Sequence, residues 1–212
     1  MKKIPTLFER KYENHKVIGI TDKLTDPSFQ VVLDGKCEAT IKVDGSCCTI
    51  IDSNFYKRYD AKKGKKPPVG AIPCQDIPDE ITGHWPHWVE IDENKPEDKW
   101  YAEALRNYYN DIIEKARVQN GRIPDGTYEA IGPHFQGNPY NLKQDTLYKH
   151  GTDFLVFNKP ITFDLLKTFL QENKIEGIVF WYNGEPLCKI KRSDFSYEWP
   201  VKDPDFTNIF FI

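Results

Sequence analysis

Lys42-Val43-Asp44-Gly45-Ser46 sets a lysine just ahead of an Asp-Gly step inside an otherwise apolar run. Flanked by Ile41 and Val43 and followed by Cys47, Cys48, Thr49, Ile50 and Ile51, the side chain is partly withdrawn from water, which favours the neutral amine over the ammonium. A neutral amine can attack phosphorus, and an ammonium cannot. Asp44-Gly45 lets the backbone turn sharply, because glycine tolerates positive φ and carries no side chain to block a bound ligand. Lys, Asp and Gly at three fixed positions arise by chance in about one chain in twenty of this length. Alone, the pattern therefore reads better as a surface β-turn with a solvated lysine.

Further segments follow in order: Lys57-Arg58, then Asp125-Gly126-Thr127-Tyr128-Glu129-Ala130-Ile131-Gly132, Phe154-Leu155-Val156-Phe157, Glu176-Gly177-Ile178-Val179-Phe180 and Lys189-Ile190-Lys191. Their order and spacing resemble motifs I, Ia, III, IIIa, IV and V of the covalent nucleotidyltransferase superfamily, which holds ATP-dependent ligases and mRNA capping enzymes. Within it, the chain is similar to the vertebrate-type 5′-phosphate/3′-hydroxyl RNA ligase family. Supporting features are Cys47-Cys48, the stretch from Thr82 to Trp88, and Gly132-Pro133-His134-Phe135-Gln136-Gly137-Asn138-Pro139-Tyr140. The likeness spans about residues 35–195, most of the chain.

The resemblance implies an ATP-dependent RNA ligase that joins RNA 5′-phosphate and 3′-hydroxyl ends through lysyl-AMP and adenylated RNA. Lys42 matches the adenylated lysine, and Lys189 and Lys191 the pair that stabilises the α-phosphate charge and keeps Lys42 neutral. Glu176 matches the glutamate that holds Mg²⁺ or Mn²⁺, mostly through waters. Glu129 matches a residue on the ribose hydroxyls or in the metal shell. Arg58 falls to the ribose or the RNA 5′-phosphate, and the Ile41 backbone to the adenine edge. Phe154 and Phe157 both lie in the adenine-stacking segment; the sequence does not choose between them, and Phe154 is preferred. A GTP-using guanylyltransferase of the capping type shares the same residues, and a non-catalytic module binding nucleotide or RNA ends is a further alternative.

At 212 residues the chain suits one sizeable domain, expected as a single nucleotidyltransferase (RNA ligase) domain over 1–212. A hydrophobic fraction of 39% fills a core, while 29% charged residues and a mean hydropathy of -0.62 fit a soluble protein. No apolar run nears the roughly 18 residues of a membrane span, and Met1-Lys2-Lys3 leads into charge. A monomeric, intracellular protein, cytoplasmic or nuclear, is expected. The net charge of -3 gives no global pull toward RNA, so contact with it must be local. Lys57, Arg58, Lys62, Lys63, Lys65 and Lys66 form the candidate arm, against a solvated loop as the plain reading. Five cysteines, Cys37, Cys47, Cys48, Cys74 and Cys188, show no C-x-x-C spacing, which suggests neither a disulfide framework nor a zinc site. His84 and His87 alternate with Trp85 and Trp88, which reads as a packed aromatic loop before a metal site.

The elements that position these groups follow from periodicity. Val31 to Ile41 reads as two short strands around an Asp34-Gly35 hairpin turn, the second delivering Lys42. Residues 62–97 read as a long loop with a short strand at 88–91. Asp98 to Arg117 is a helix with Leu105, Tyr108, Tyr109, Ile112 and Ala116 on one stripe, ended by Asn120-Gly121. A second helix begins near Thr162 or Asp164 and buries Leu165, Leu166, Phe169 and Leu170. Strands at 176–182 and 186–192 pair through an Asn183-Gly184 turn and turn Lys189 and Lys191 to one face. The expected fold is α+β, antiparallel sheets flanked by helices around a nucleotide cleft. About 20 residues follow Lys191, too few for a five-stranded OB-fold. The tail with Trp199, Phe206, Phe210 and Phe211 is expected to pack back on the core.

Overall fold

The computed structural model of the chain describes residues 3–14, 16–80, 82–114, 122–202 and 204. In chain order its elements begin with β1 (Phe8–Glu13), β2 (Lys16–Leu24), α1 (Gln30–Leu33) and β3 (Glu38–Lys42). They continue with β4 (Ser46–Ile51), β5 (Asn54–Ala61), β6 (Ile72–Pro73), β7 (Trp85–Glu90), α2 (Lys99–Glu114), β8 (Gly126–Ile131) and β9 (Thr146–Lys149). The last are β10 (Phe154–Leu155), α3 (Phe163–Glu172), β11 (Gly177–Tyr182) and β12 (Glu185–Lys191). This is the expected mixture of antiparallel sheets and few helices. Backbone packing divides the chain into two compact units, Met1–Lys3 with Asp44–His150, and Ile4–Val43 with Gly151–Ile212. Among the described residues no helix is long and apolar enough to cross a membrane.

The unit from Asp44 to His150 is built on a six-stranded sheet in the order β6-β7-β5-β4-β8-β9. Strand alternation sends Cys48, Ile50, Tyr128 and Ala130 to one face, where they bury with Phe55, Phe135 and Leu147 against Ala104 of α2. Leu105 and Tyr108 of the predicted stripe join that core. Ala116 and Asn120-Gly121 lie outside the described residues. The short strand expected at 88–91 within the 62–97 loop is present as β7, which begins earlier, at Trp85, and pairs with β6, which was not expected. Trp85, His87 and Trp88 pack as a strand, and Trp85 Nε1 donates to Gln75 O at 2.7 Å. Gly45 also departs from its reading. It takes no positive φ; a side chain there would meet Ala130 O, Ile131 Cγ2 and Glu129 Cγ, so the glycine is required by close approach of β8.

The other unit holds a two-stranded sheet, β1-β2, and a four-stranded one in the order β10-β3-β11-β12. Ala39, Ile178, Phe180, Cys188 and Ile190 form its buried face. The predicted hairpin at Asp34-Gly35 is a helix end instead. Asp26 accepts the Ser28 N–H at 2.8 Å ahead of Pro27, which starts a short 3-10 turn leading into α1. Gly35, at φ 71°, then ends α1, with Gly35 N–H on Val32 O and Lys36 N–H on Val31 O, both at 3.0 Å. The expected second helix is α3; Thr162 caps it by accepting the Leu165 N–H at 3.1 Å, and it buries Leu166 and Leu170. At its far end the buried Arg192 guanidinium donates to Leu170 O, to Asn173 O at 2.7 Å and to Glu198 O at 3.1 Å. The strand pair 177–182 and 185–191 turns at Asn183-Gly184, where both residues have positive φ, as a two-residue hairpin requires. Of the tail, Phe206, Phe210 and Phe211 lie outside the described residues.

Gly177 sits where β11 presses on β12: a Cβ would stand 3.0 Å from Lys191 Cα and closer still to Ile190 O. Backbone atoms of a central ladder cannot move aside, so Gly177→Ala is expected to cost roughly 1–3 kcal/mol, read as a lowered urea midpoint. An unchanged midpoint would show that the two strands have room to separate.

Candidate active site

Register decides which side chains share a face. In the antiparallel ladder β3-β11-β12, Lys42 lies opposite Gly177 and Gly177 opposite Lys191, while Thr40 lies opposite Val179 and Val179 opposite Lys189. Directly opposed residues project to the same side, so Lys42, Lys189 and Lys191 stand together on one face of the sheet. Gly177, with no side chain, is the gap between two of them. Glu176, 6% exposed, precedes this gap, and its Oε2 lies 2.5 Å from Lys42 Nζ and its Oε1 3.8 Å from Lys191 Nζ. One buried carboxylate is thus surrounded by three amines, a net positive site suited to a polyanion. The Lys189 amine is pushed down to about 8, first by burial and then by the charges of Lys42, Lys191 and Arg10, with Glu176 opposing.

Backbone neighbours that sequence reading missed hold the two β12 lysines. Lys189 N–H donates to Pro5 O at 2.9 Å and Lys189 O accepts the Leu7 N–H at 2.8 Å, so the segment before β1 runs as a parallel neighbour. Lys191 N–H donates to Asp194 Oδ2 at 2.8 Å, and Asp194 Oδ1, fully buried, accepts Arg10 Nε at 2.9 Å and Nη2 at 2.8 Å. An acid three residues after Lys191 was the available signal for Asp194; Arg10 had none.

On the same face, Phe154 lies opposite Thr40 and is 56% exposed, whereas Phe157 packs edge-to-face on Phe169 at 5.1 Å. The geometry therefore separates the two aromatic candidates: only Phe154 shares the side of Lys42. The Ile41 amide is not open to a ligand, because its N–H donates to Asp153 O at 3.1 Å.

In the unit from Asp44 to His150, Glu129 is 9% exposed and its Oε2 pairs with His150 Nε2 at 2.8 Å, while His150 Nδ1 meets Thr127 Oγ1 at 3.0 Å. Thr127 and Glu129 alternate on β8, and the His150 N–H donates to Thr127 O just beyond β9, so one imidazole bridges both. Cys47 lies opposite Glu129. Burial, then the Glu129 charge, pushes the Cys47 thiol up to about 12, and burial also pushes the Cys48 thiol well up, so neither is a thiolate nucleophile. Asp44 N–H donates to Tyr140 Oη at 2.5 Å, which ties the motif after Lys42 to the Gly132–Tyr140 stretch.

The expected basic arm divides. Lys57 and Arg58 are neighbours on β5 and project to opposite faces; Lys57 Nζ pairs with the buried Asp98 and Arg58 Nε with Asp60 at 2.9 Å. Lys57 is accordingly the charge partner of a buried carboxylate whose other oxygen accepts the Asp92 N–H at 3.0 Å. Lys62, Lys63, Lys65 and Lys66 are exposed around a turn in which Lys65 N–H donates to Lys62 O at 2.9 Å. His84 is exposed and His87 buried, with Nδ1 at 2.8 Å from Trp85 O. Among the described residues no group of three metal-ligating side chains gathers.

A family model for RNA ligase 1 matches residues 67–209, about two thirds of the sequence. The chain belongs to the RNA ligase 1 family. The matched stretch contains Glu129, Phe154, Glu176, Lys189 and Lys191, while Lys42 lies upstream of it. Among similar members, RNA ligase 1 of Rattus norvegicus is 28% identical over 92% of this chain and 78% of its own length. That of Pongo abelii is 29% identical over 92% and 78%, and that of Danio rerio 29% over 78% and 69%.

A half-buried lysine with a depressed pKa leaves a stability signature. Its charge penalises the fold below about pH 8, and the penalty fades as pH rises from about 8 toward the ordinary value of 10.5. Lys189→Met should therefore be at least as stable as the wild type at pH 7, with any advantage shrinking by pH 10. Urea denaturation at the two pH values checks this; an advantage that grows with pH would contradict it.

Proposed function

We propose that this chain is an ATP-dependent RNA ligase that seals RNA 5′-phosphate and 3′-hydroxyl ends through a lysyl-AMP intermediate. The observation that carries the reading is the lysine face, with Lys42 held 2.5 Å from the Glu176 carboxylate and flanked by Lys189 and Lys191, in a member of the RNA ligase 1 family. In the first step Lys42 Nζ forms a bond to the α-phosphorus of ATP, the bond to pyrophosphate breaks, and the amine loses its proton. Glu176 Oε2 is the nearest acceptor for that proton. Lys189 and Lys191 supply positive charge where negative charge develops on the α-phosphate. AMP then passes to the RNA 5′-phosphate, freeing Lys42, and a 3′-hydroxyl attacks the same RNA phosphorus and releases AMP. Phe154, exposed on the same face, is the stacking surface for adenine.

Glu176 is a single carboxylate with no further ligand cluster beside it among the described residues, the donor set that suits a largely hydrated Mg²⁺ or Mn²⁺ shared with substrate phosphates. Such an ion would neutralise phosphate charge. Glu129, fixed by His150, is assigned to the ribose hydroxyls by the resemblance of its motif. The RNA contact is assigned to Lys62, Lys63, Lys65 and Lys66, with Lys57 removed because Asp98 takes its charge.

Incubation with ATP and Mg²⁺ should add one AMP to the intact mass of the wild type and none to Lys42→Ala, while that variant still seals pre-adenylated RNA slowly. Lys191→Ala should slow adenylation by roughly 10²-fold or more. Normal adenylation of Lys42→Ala would overturn the assignment. Replacing the four loop lysines by alanine should leave adenylation intact and weaken RNA binding, with a shallower salt dependence; an unchanged salt slope would make the loop a bystander.

A further inference from the structure

The stretch after β8 sets an exposed histidine on a buried carboxylate. Asp145 is 1% exposed; its Oδ2 lies 2.7 Å from His134 Nδ1, and its Oδ1 accepts the His134 backbone N–H at 3.1 Å. Gly132 makes the room, since a Cβ there would stand 2.6 Å from both Asp145 Cα and Oδ1. Asn107 of α2 fixes the same residue from behind, donating from Nδ2 to Asp145 O at 2.9 Å. The imidazole lies flat on Trp100, with ring centroids 3.3 Å apart and planes 6° from parallel, and Lys99 Nζ is 4.3 Å from the centre of that indole.

Two restraints therefore act on one ring, the Asp145 carboxylate on Nδ1 and the stack on Trp100, although its side chain is 37% exposed. Clamping the loop needs only the backbone N–H on Asp145; the ring contacts go further and fix the tautomer. A carboxylate only accepts, so Nδ1 carries the proton, and in the neutral imidazole Nε2 is a hydrogen-bond acceptor. Among the described residues Nε2 takes no hydrogen bond. In that neutral form Nε2 is a rigid, outward acceptor beside an aromatic plane and a lysine, which suits a ligand that offers a hydroxyl next to a phosphate.

We propose that His134 reads the sugar of the RNA strand: Nε2 accepts a hydrogen bond from a ribose 2′-hydroxyl, while Lys99 faces the neighbouring phosphate. A DNA strand lacks that hydroxyl, so His134 is a specificity residue for RNA over DNA. The inference rests on the RNA ligase reading for its ligand, but it concerns strand binding and not adenylation.

The test measures binding of a 5′-phosphorylated single-stranded RNA and its all-2′-deoxy counterpart by fluorescence anisotropy. The proteins are the wild type, His134→Phe and His134→Gln, each checked for an unchanged melting temperature. Phenylalanine keeps the stack on Trp100 without an acceptor, and glutamine restores an acceptor oxygen at similar reach. The wild type should prefer RNA. His134→Phe should bind RNA about tenfold more weakly, the worth of one hydrogen bond to a well-oriented partner, and bind the deoxy strand unchanged; His134→Gln should recover part of the loss. Equal binding of both strands by the wild type, or equal weakening of both by His134→Phe, overturns the proposal. Intact-mass adenylation with ATP and with 2′-deoxy-ATP separates the other source of a ribose hydroxyl: if His134→Phe loses adenylation with ATP only, the hydroxyl belongs to the nucleotide and the RNA assignment falls. If the RNA preference is found while no AMP adduct forms on any protein, the proposed function fails and the His134 assignment stands.

Discussion

The ion pair between Lys42 and Glu176 is the interaction on which the lysine face depends. Three amines on one side of a small sheet repel one another, and a carboxylate with 6% exposure, 2.5 Å from one amine and 3.8 Å from another, is what makes their assembly tolerable. The Lys189 amine is held low first by burial and then by the charges of Lys42, Lys191 and Arg10, against the opposing pull of Glu176. A site left short of negative charge is a receptive one for phosphate. The same carboxylate also keeps the Lys42 amine in a defined place.

Backbone register makes this arrangement possible. Lys42, Gly177 and Lys191 form one cross-strand row, and any side chain at the middle position would collide with β12. A slip by one residue would turn all the lysines of either strand to the buried face, where Ile178 and Ile190 now sit. Pro5 to Leu7 and the Arg10–Asp194 pair pin β12 from its outer side, which guards against such a slip. In the unit from Asp44 to His150, buried carboxylates hold polar partners by the same device: Asp98 holds Lys57, Glu129 holds His150 and Asp145 holds His134.

The sequence made part of this legible and hid the rest for physical reasons. Lys189-Ile190-Lys191 shows by alternation alone that both lysines face one way, and Asn183-Gly184 shows where the strand pair turns. Order and spacing of the motifs pointed to Lys42 and Glu176, but their contact spans 134 positions and depends on β3 pairing with β11, which no local pattern encodes. Asp34-Gly35 was misread because an Asp-Gly step serves a helix end as well as a hairpin, and the deciding signal, Asp26-Pro27, lies eight residues upstream. Gly45 was ascribed to a turn, whereas close packing on β8 requires it; composition cannot separate those two uses of glycine. Lys57 looked like one more cation in a basic run, because its partner Asp98 is 41 residues away.

The account stands or falls on which amine carries the nucleotide. Three lysines share the face, and burial with the neighbouring charges pushes the Lys189 amine down to about 8, so chemistry by proximity alone could label any of them. Peptide mapping by mass spectrometry, after reaction with ATP and Mg²⁺ and acid-free digestion, assigns the AMP to a residue. The account predicts a single adduct, on Lys42. An adduct on Lys189 or Lys191, or one spread over all three, would contradict it.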